Sequence, residues 1–310
     1  MPIVPFVTQG QQNLARGKGQ CLHHVFRRKE GMGIAIMLKT PEKIQEFQRK
    51  LYQKATQEEE FRFYLLYDKV YRMDILTHAY KLVKINKGSP GIDGVTFERI
   101  EEIEGVERYL KSISEELIAG KYKPMAVKRV YIPKADGSKR PLGIPTIKDR
   151  IVQMATKIVI EPIFEADFQD NSYGFRPKRN AHQAMDEISK QLRTGKTQII
   201  DADISKYFDA IPHSKLLKLI AKRIVDKHIL KLIKMWLKAS IVEEIADGKN
   251  INISSKKGTP QGGVISPLLA NVYLNVLDKV WKTKEIQKRF GANLVRYADD
   301  RVPRTKLSVS

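Results

Sequence analysis

A single cysteine, Cys21, occurs in the 310 residues, which excludes an internal disulfide and any zinc site built on several thiolates. Apolar runs are short: the longest, Gly31–Leu38, falls far below the ~18 residues that a membrane span requires. Residues 1–30 lack the apolar core of a secretory signal. Acidic residues are scarce as well, 35 Asp and Glu against 56 Lys and Arg, for a formal charge of +21. These absences leave a soluble protein of a reducing compartment, with no membrane partner, whose surface attracts polyanions. At such a charge nucleic acid is the leading class of partner. Hydrophobic residues make up 42% of the chain, enough for real cores, so wholesale disorder is excluded.

The charge is regional. Residues 121–150 carry nine basic side chains against Asp136 and Asp149, and residues 215–238 carry eight against Asp226 alone, whereas Glu58–Glu60 and Glu98–Glu107 are acidic. Such clustering suits a nucleic-acid track better than uniform solubility charge. Residues 1–36 are rich in Gly, Gln and Arg and lack periodicity, and are expected to be a disordered or non-native extension before Met37.

Thr40-Pro41-Glu42 reads as N-cap, first helical residue and acidic first turn. A second helix is predicted over roughly Phe61–Val83. Val127–Pro133 and Arg140–Pro145 flank Asp136-Gly137, a hairpin signal. A helix over Ile147–Phe164, a strand over Gln198–Ile204 and one amphipathic basic helix from about Ser214 to Ala239 follow. A hairpin over Ile241–Ile253, a helix from Ser266-Pro267 to Trp281 and a strand over Asn293–Ala298 complete the series. The expected fold class is α+β, an antiparallel sheet with helices on one face.

Two segments bring carboxylates out of apolar strands: Ile199-Ile200-Asp201-Ala202-Asp203-Ile204 and Leu294-Val295-Arg296-Tyr297-Ala298-Asp299-Asp300. Two carboxylates ~4 Å apart repel by about 4 kcal/mol at an effective dielectric of ~20. A divalent cation cancels that cost, and all-oxygen donors suit Mg²⁺.

Tyr297–Asp300, the Asp203 segment and Lys257-Gly258-Thr259-Pro260-Gln261-Gly262-Gly263 through Asn271 together resemble the reverse transcriptase family. Gly91–Thr96, Ile132–Lys134 with Arg140–Pro145, and Ser172–Pro177 narrow the likeness to the reverse transcriptase/maturase encoded within group II introns. The resemblance covers about residues 37–300 in the family's order. It implies a right-hand polymerase: a helical N-terminal extension with the first motif over 37–96, fingers over 97–180, and a palm over 181–310 that lacks its C-terminal part and the thumb. It further implies RNA-directed DNA synthesis from dNTPs on a primed RNA template, two Mg²⁺ ions (Mn²⁺ as substitute), and intron RNA as partner. The alternatives are a truncated, inactive RNA-binding fragment and a retron or CRISPR-linked enzyme. A bacterial cytoplasm is the expected location, ahead of an organelle.

Carried onto this sequence, the resemblance makes Asp203 and Asp299 metal ligands, with Asp300 a third acid and Ile204 lending its backbone carbonyl. Phe208 matches the residue that excludes a 2′-hydroxyl, adjacent Tyr207 leaving a one-residue ambiguity. Gln261 and Gly262 would lie along the incoming nucleotide, and Lys134 and Arg140 would hold its triphosphate. Asp201 and Asp209 are read as structural, Arg176 as supporting template or fingers packing, and the apolar side of the basic helix as cover for the sheet, with intron RNA the alternative role of its lysine side. Beyond Asp300, Pro303 lacks a ladder donor and argues against a central strand, so a truncated or frame-shifted end is expected.

Overall fold

The computed structural model describes residues 38–133, 137, 139–204, 206–244, 250–253, 256–260 and 262–305, with the backbone alone at 244, 250 and 300–305. From Thr40 onward the chain forms one compact unit; residues 38 and 39 fall in a separate N-terminal unit. Among the described residues no helix is long and apolar enough to cross a membrane.

Helix α1 (Glu42–Gln57) buries Ile44 and Ala55. Its N-cap is Pro41, one residue later than the sequence suggested, and makes no side-chain cap. In place of one long helix over Phe61–Val83, the chain folds as α2 (Tyr67–Val70) and α3 (Met73–Ile85), after an extended stretch in which Phe63 pairs with Ile224. The physical reason is Asp226, whose Oδ2 accepts the amides of Leu66 and Tyr67 at 2.9 Å each and draws that backbone out of helix. A single helical turn at Phe97–Arg99 runs into a π-helical segment at Ile100–Glu104 and then α4 (Val106–Ile118), which burial of Leu110, Ile113 and Leu117 fixes.

Strands β1 (Val127–Pro133) and β2 (Lys139–Ile144) form the expected hairpin; Asp136, at its turn, lies outside the described residues. Helix α5 (Ile147–Asp167) is the centre of the core. Thr146 caps it, its hydroxyl accepting the amide of Asp149, and Ile147, Ile151, Val152, Ala155, Val159, Ile160 and Ile163 are wholly buried. Each of these isoleucines and valines contributes about 1.5–3 kcal/mol relative to exposure. Pro162 inside α5 removes the donor that the Ile158 carbonyl would otherwise take; Gln48 of α1 supplies the replacement, Nε2 donating to that carbonyl at 3.0 Å.

Helix α6 (Ala181–Arg193), opened by an Asn180/Gln183 capping box, leads to β3, which spans only Gln198–Ile199 rather than reaching Ile204. A one-turn helix α7 (Tyr207–Ala210) follows. The single basic helix expected over 214–239 is two, α8 (His213–Ala221) and α9 (Lys227–Leu237). Asp226 breaks it by accepting the amides of His228 and Ile229 as the N-cap of α9. Strands β4 (Ile241–Glu244) and β5 (Asn250–Ile253), helices α10 (Ser266–Thr283) and α11 (Ile286–Phe290), and strands β6 (Asn293–Tyr297) and β7 (Asp300–Thr305) complete the chain.

Among the described residues the strands form two sheets rather than the one expected. The first has order β2-β1-β4-β5 and is mixed, because β1 runs parallel to β4. The second has order β3-β7-β6 and is antiparallel. A second departure concerns Pro303, which stands within β7 opposite Leu294. Among the described strands β3 pairs with Arg304 and Thr305 and not with Pro303 itself, so the missing proline amide costs no hydrogen bond of that ladder.

Candidate polymerase site

The β6–β7 hairpin turns through Ala298 and Asp299, with Tyr297 opposite Asp300. Ala298 has φ +58°, the left-handed conformation that a two-residue hairpin loop demands and that glycine adopts without strain. Two contacts hold it there. The Arg296 guanidinium donates Nη1 to the Ala298 carbonyl at 2.9 Å. On the other side, a Cβ added to Gly174 would sit 2.2 Å from the Ala298 amide nitrogen, so the Ser172–Pro177 motif is pressed against this turn and only glycine fits.

The other acidic segment follows β3, in which Gln198 pairs with Thr305 and Ile199 with Arg304 of the hairpin's second strand; Asp203 stands beyond the end of that strand. Asp203 is exposed, Asp299 half-buried, and the side chain of Asp300 lies outside the described residues. The Ile204 carbonyl accepts the Tyr207 amide at 3.2 Å, and an oxygen lone pair remains. Every donor here is a hard oxygen, a chemistry that fits Mg²⁺. Among the described residues no group of three or more His, Cys, Asp or Glu could hold a metal ion; of the three acids expected at the site, Asp203 and Asp299 have described side chains.

Tyr207 and Phe208 differ sharply. Tyr207 is buried and its hydroxyl donates to the Ala270 carbonyl at 2.8 Å. Phe208 is half-buried and stands edge-on to Phe175, centroids 6.3 Å apart. Residues 256–260 are strapped to its chain: the Thr259 amide donates to the Phe208 carbonyl and the Gly258 amide to the Ile211 carbonyl, both at 2.7 Å. Gly262, at φ +110°, approaches strand β2 so closely that a Cβ would lie 2.2 Å from the Gly143 carbonyl oxygen. Phe208 is therefore linked to the turn through Phe175 and the adjacent Gly174, whereas Gly262 packs on strand β2. Gln261 and Lys134 lie outside the described residues. Arg140 is exposed on β2 opposite Ile132. Arg176 is buried and internal: it ion-pairs with Glu165 at 2.6 Å and donates to the Gln169 and Ser172 carbonyls.

The sequence reading missed the polar cluster behind the turn. Arg296 is fully buried and donates to both oxygens of Asp278, to Asn271 Oδ1 and to Ser172 Oγ. Its signal was an arginine inside an apolar strand, together with Asn271, Asn275 and Asp278 at helical spacing on an otherwise apolar stretch.

Residues 132–303 match the family described as reverse transcriptase (RNA-dependent DNA polymerase). Protein YkfC of Escherichia coli is 39% identical over 242 residues, covering 76% of this chain and 62% of its own length. The group II intron-encoded protein LtrA of Lactococcus lactis is 39% identical over 218 residues, 70% of this chain and 35% of its own. The chain thus spans about three-fifths and one-third of these two relatives. A chain of a partial Cas6-RT-Cas1--Cas2 complex superposes with a TM-score of 0.46 at 24% identity, over 78% of this chain and 38% of that one. With its matched region extending over more than half of its length, the chain belongs to the reverse transcriptase (RNA-dependent DNA polymerase) family.

Proposed function

We propose that the chain is the RNA-directed DNA polymerase of a group II intron, extending a DNA primer with dNTPs along an RNA template, and that it binds intron RNA in splicing and retrohoming. The observation that supports this reading is that the segment bearing Asp203 continues from β3, the strand paired with β7, and β7 is the second arm of the hairpin whose turn carries Asp299. The intron assignment is supported by the likeness to LtrA. In this reading the β1–β2 hairpin belongs to the fingers and the β3-β7-β6 sheet to the palm.

Asp203 and Asp299 hold the metals, with the Ile204 carbonyl and Asp300 beside them. Two Mg²⁺ or Mn²⁺ ions, when bound, supply the charge that activates the attacking hydroxyl and neutralises the leaving pyrophosphate. Phe208, not Tyr207, is the residue that meets the sugar, because the Tyr207 hydroxyl is already spent on the Ala270 carbonyl. Gly262 leaves backbone bare along the nucleotide, next to Gln261. Arg140 and Lys134, on opposite arms of the hairpin, neutralise the triphosphate, since positioning and charge provide most of phosphoryl-transfer catalysis.

Primer extension on an RNA template tests the reading. Mg²⁺-dependent synthesis is expected, abolished by Asp299→Ala and by Asp203→Ala while RNA binding persists. Salt-sensitive RNA binding that survives Asp203→Ala, with no extension under any condition, would overturn it in favour of a non-catalytic RNA-binding chain.

A further inference from the structure

Behind the hairpin that bears Asp299 lies a buried ion pair that no role proposed so far uses. Arg296 and Asp278 are both wholly inaccessible at their side chains and meet at 2.7 Å. Burying two charges costs several kcal/mol per ion unless geometry and extra hydrogen bonds repay it. Here the remaining donors are all directed. Nη2 also reaches Ser172 Oγ at 2.5 Å, and Nη1 divides between Asn271 Oδ1 and the Ala298 carbonyl, both at 2.9 Å. Asn171 braces Asp278 from the far side at 3.0 Å. Asn271 in turn donates to the Gly174 carbonyl at 2.8 Å, and Gly174 is the residue packed onto the Ala298 amide. The backbone repeats the connection: the Tyr173 amide donates to the Arg296 carbonyl at 2.9 Å and the Arg296 amide to the Asn171 carbonyl at 2.8 Å.

Two of these groups, the Arg296 guanidinium and Gly174, meet at Ala298, whose φ is +58° and which immediately precedes Asp299. Strained backbone persists only where its surroundings over-determine it. We infer that Arg296, held by Asp278, is a positioning residue: it fixes the Ala298 turn and thereby aims the Asp299 carboxylate at the metal. The inference rests on the polymerase reading for its consequence, but its geometry stands apart from it.

The test compares Arg296→Lys, Asp278→Asn and Ser172→Ala with Arg223→Lys. Arg223 is another buried arginine, bonded to the carbonyls of Ala55 and Phe61 at the end of α1. Two readouts are taken on folded protein: Mn²⁺ affinity of the free chain, from the electron paramagnetic resonance of unbound Mn²⁺, and the Mg²⁺ concentration giving half-maximal primer extension. Arg296→Lys and Asp278→Asn are expected to weaken Mn²⁺ binding about tenfold or more, the usual cost of removing an outer partner of a metal ligand. Half-saturating Mg²⁺ should rise in parallel, with the KM for dNTP unchanged. Ser172→Ala, which removes one bond, is expected to shift both readouts in the same direction by less, and decides the matter where the other two do not fold. Arg223→Lys should lower the melting temperature and shift neither readout. Unaltered Mn²⁺ affinity in the folded variants, an equal shift in Arg223→Lys, or no Mn²⁺ binding by the wild-type chain overturns the inference. Mn²⁺ affinity that falls as expected in a protein without primer extension upholds the positioning role and removes the polymerase reading instead.

Discussion

Gly174 shows how narrowly a single position can be specified. A methyl group there would stand 2.2 Å from the Ala298 nitrogen and 2.9 Å from its Cα, both backbone atoms, so no rotamer change relieves the contact. Gly174→Ala is expected to cost about 1–3 kcal/mol, the range for overpacking, visible as a lower midpoint of denaturant unfolding. Because the displaced residue precedes Asp299, primer extension should fall more steeply than stability does. At this scale the sequence was informative where chemistry restricts a position by itself: paired acids at strand ends, and glycines within a motif. For Arg296 it offered a signal, an arginine inside an apolar strand, without the role, because one partner that gives the residue its meaning is remote. Ser172 is 124 residues away in sequence, and the pairing exists only once β6 has docked beside the Ser172 segment.

Elements were legible where one face had to be buried, and misread where a side chain captured backbone amides. The run from Ser214 to Ala239 has continuous helical periodicity, and Leu216, Ile220, Ile233 and Trp236 are buried as that periodicity implies. Asp226 nevertheless divides it, because its two oxygens take the amides of Leu66, Tyr67, His228 and Ile229. Asp226→Ala removes an N-cap worth about 1 kcal/mol and orphans two further amides near the core. A loss of about 3 kcal/mol is expected, with faster amide exchange at Leu66 and Tyr67 as its local mark. The join between α4, β1 and α5 carries a pH dependence. Burial pushes the Asp149 carboxyl above the usual carboxylate range, against the hydroxyls of Tyr122 and Thr146 and the amide of Met125 that it accepts. A carboxyl raised on folding stabilises fully below its unfolded pKa of ~3.9, and that contribution is lost as pH rises through the folded value. Asp149→Asn does not titrate and leaves one donor unmatched, at about 1–3 kcal/mol. Its deficit in melting temperature relative to wild type should therefore narrow as pH is raised from about 4 to 7; a constant deficit would contradict the raised carboxyl.

For the whole molecule the formal charge of +21 overstates what a polyanion can meet. Of the eight basic residues in 215–238, Arg223 is buried, bonded to backbone carbonyls at the end of α1. The seven lysines 215, 218, 222, 227, 231, 234 and 238 are exposed. In 121–150, Arg150 is spent on the carbonyls of Pro145 and Ser89, and Lys148 on Glu116. A charge count therefore mixes side chains that hold the fold with side chains that can bind. Ionic strength separates them, because each phosphate neutralised on single-stranded RNA contributes about −0.7 to the slope of log affinity against log salt. RNA affinity is expected to fall steeply between about 50 and 200 mM salt. Lys215→Ala, Lys218→Ala and Lys222→Ala should each make the slope shallower by up to about 0.7, with melting temperature unchanged. Arg223→Lys and Arg150→Lys should do the reverse, destabilising the fold and leaving the slope intact. If the lysine substitutions change neither slope nor affinity, the α8–α9 surface is a solvated face and the RNA track runs elsewhere, over the exposed Lys121, Lys123, Lys139 and Arg140.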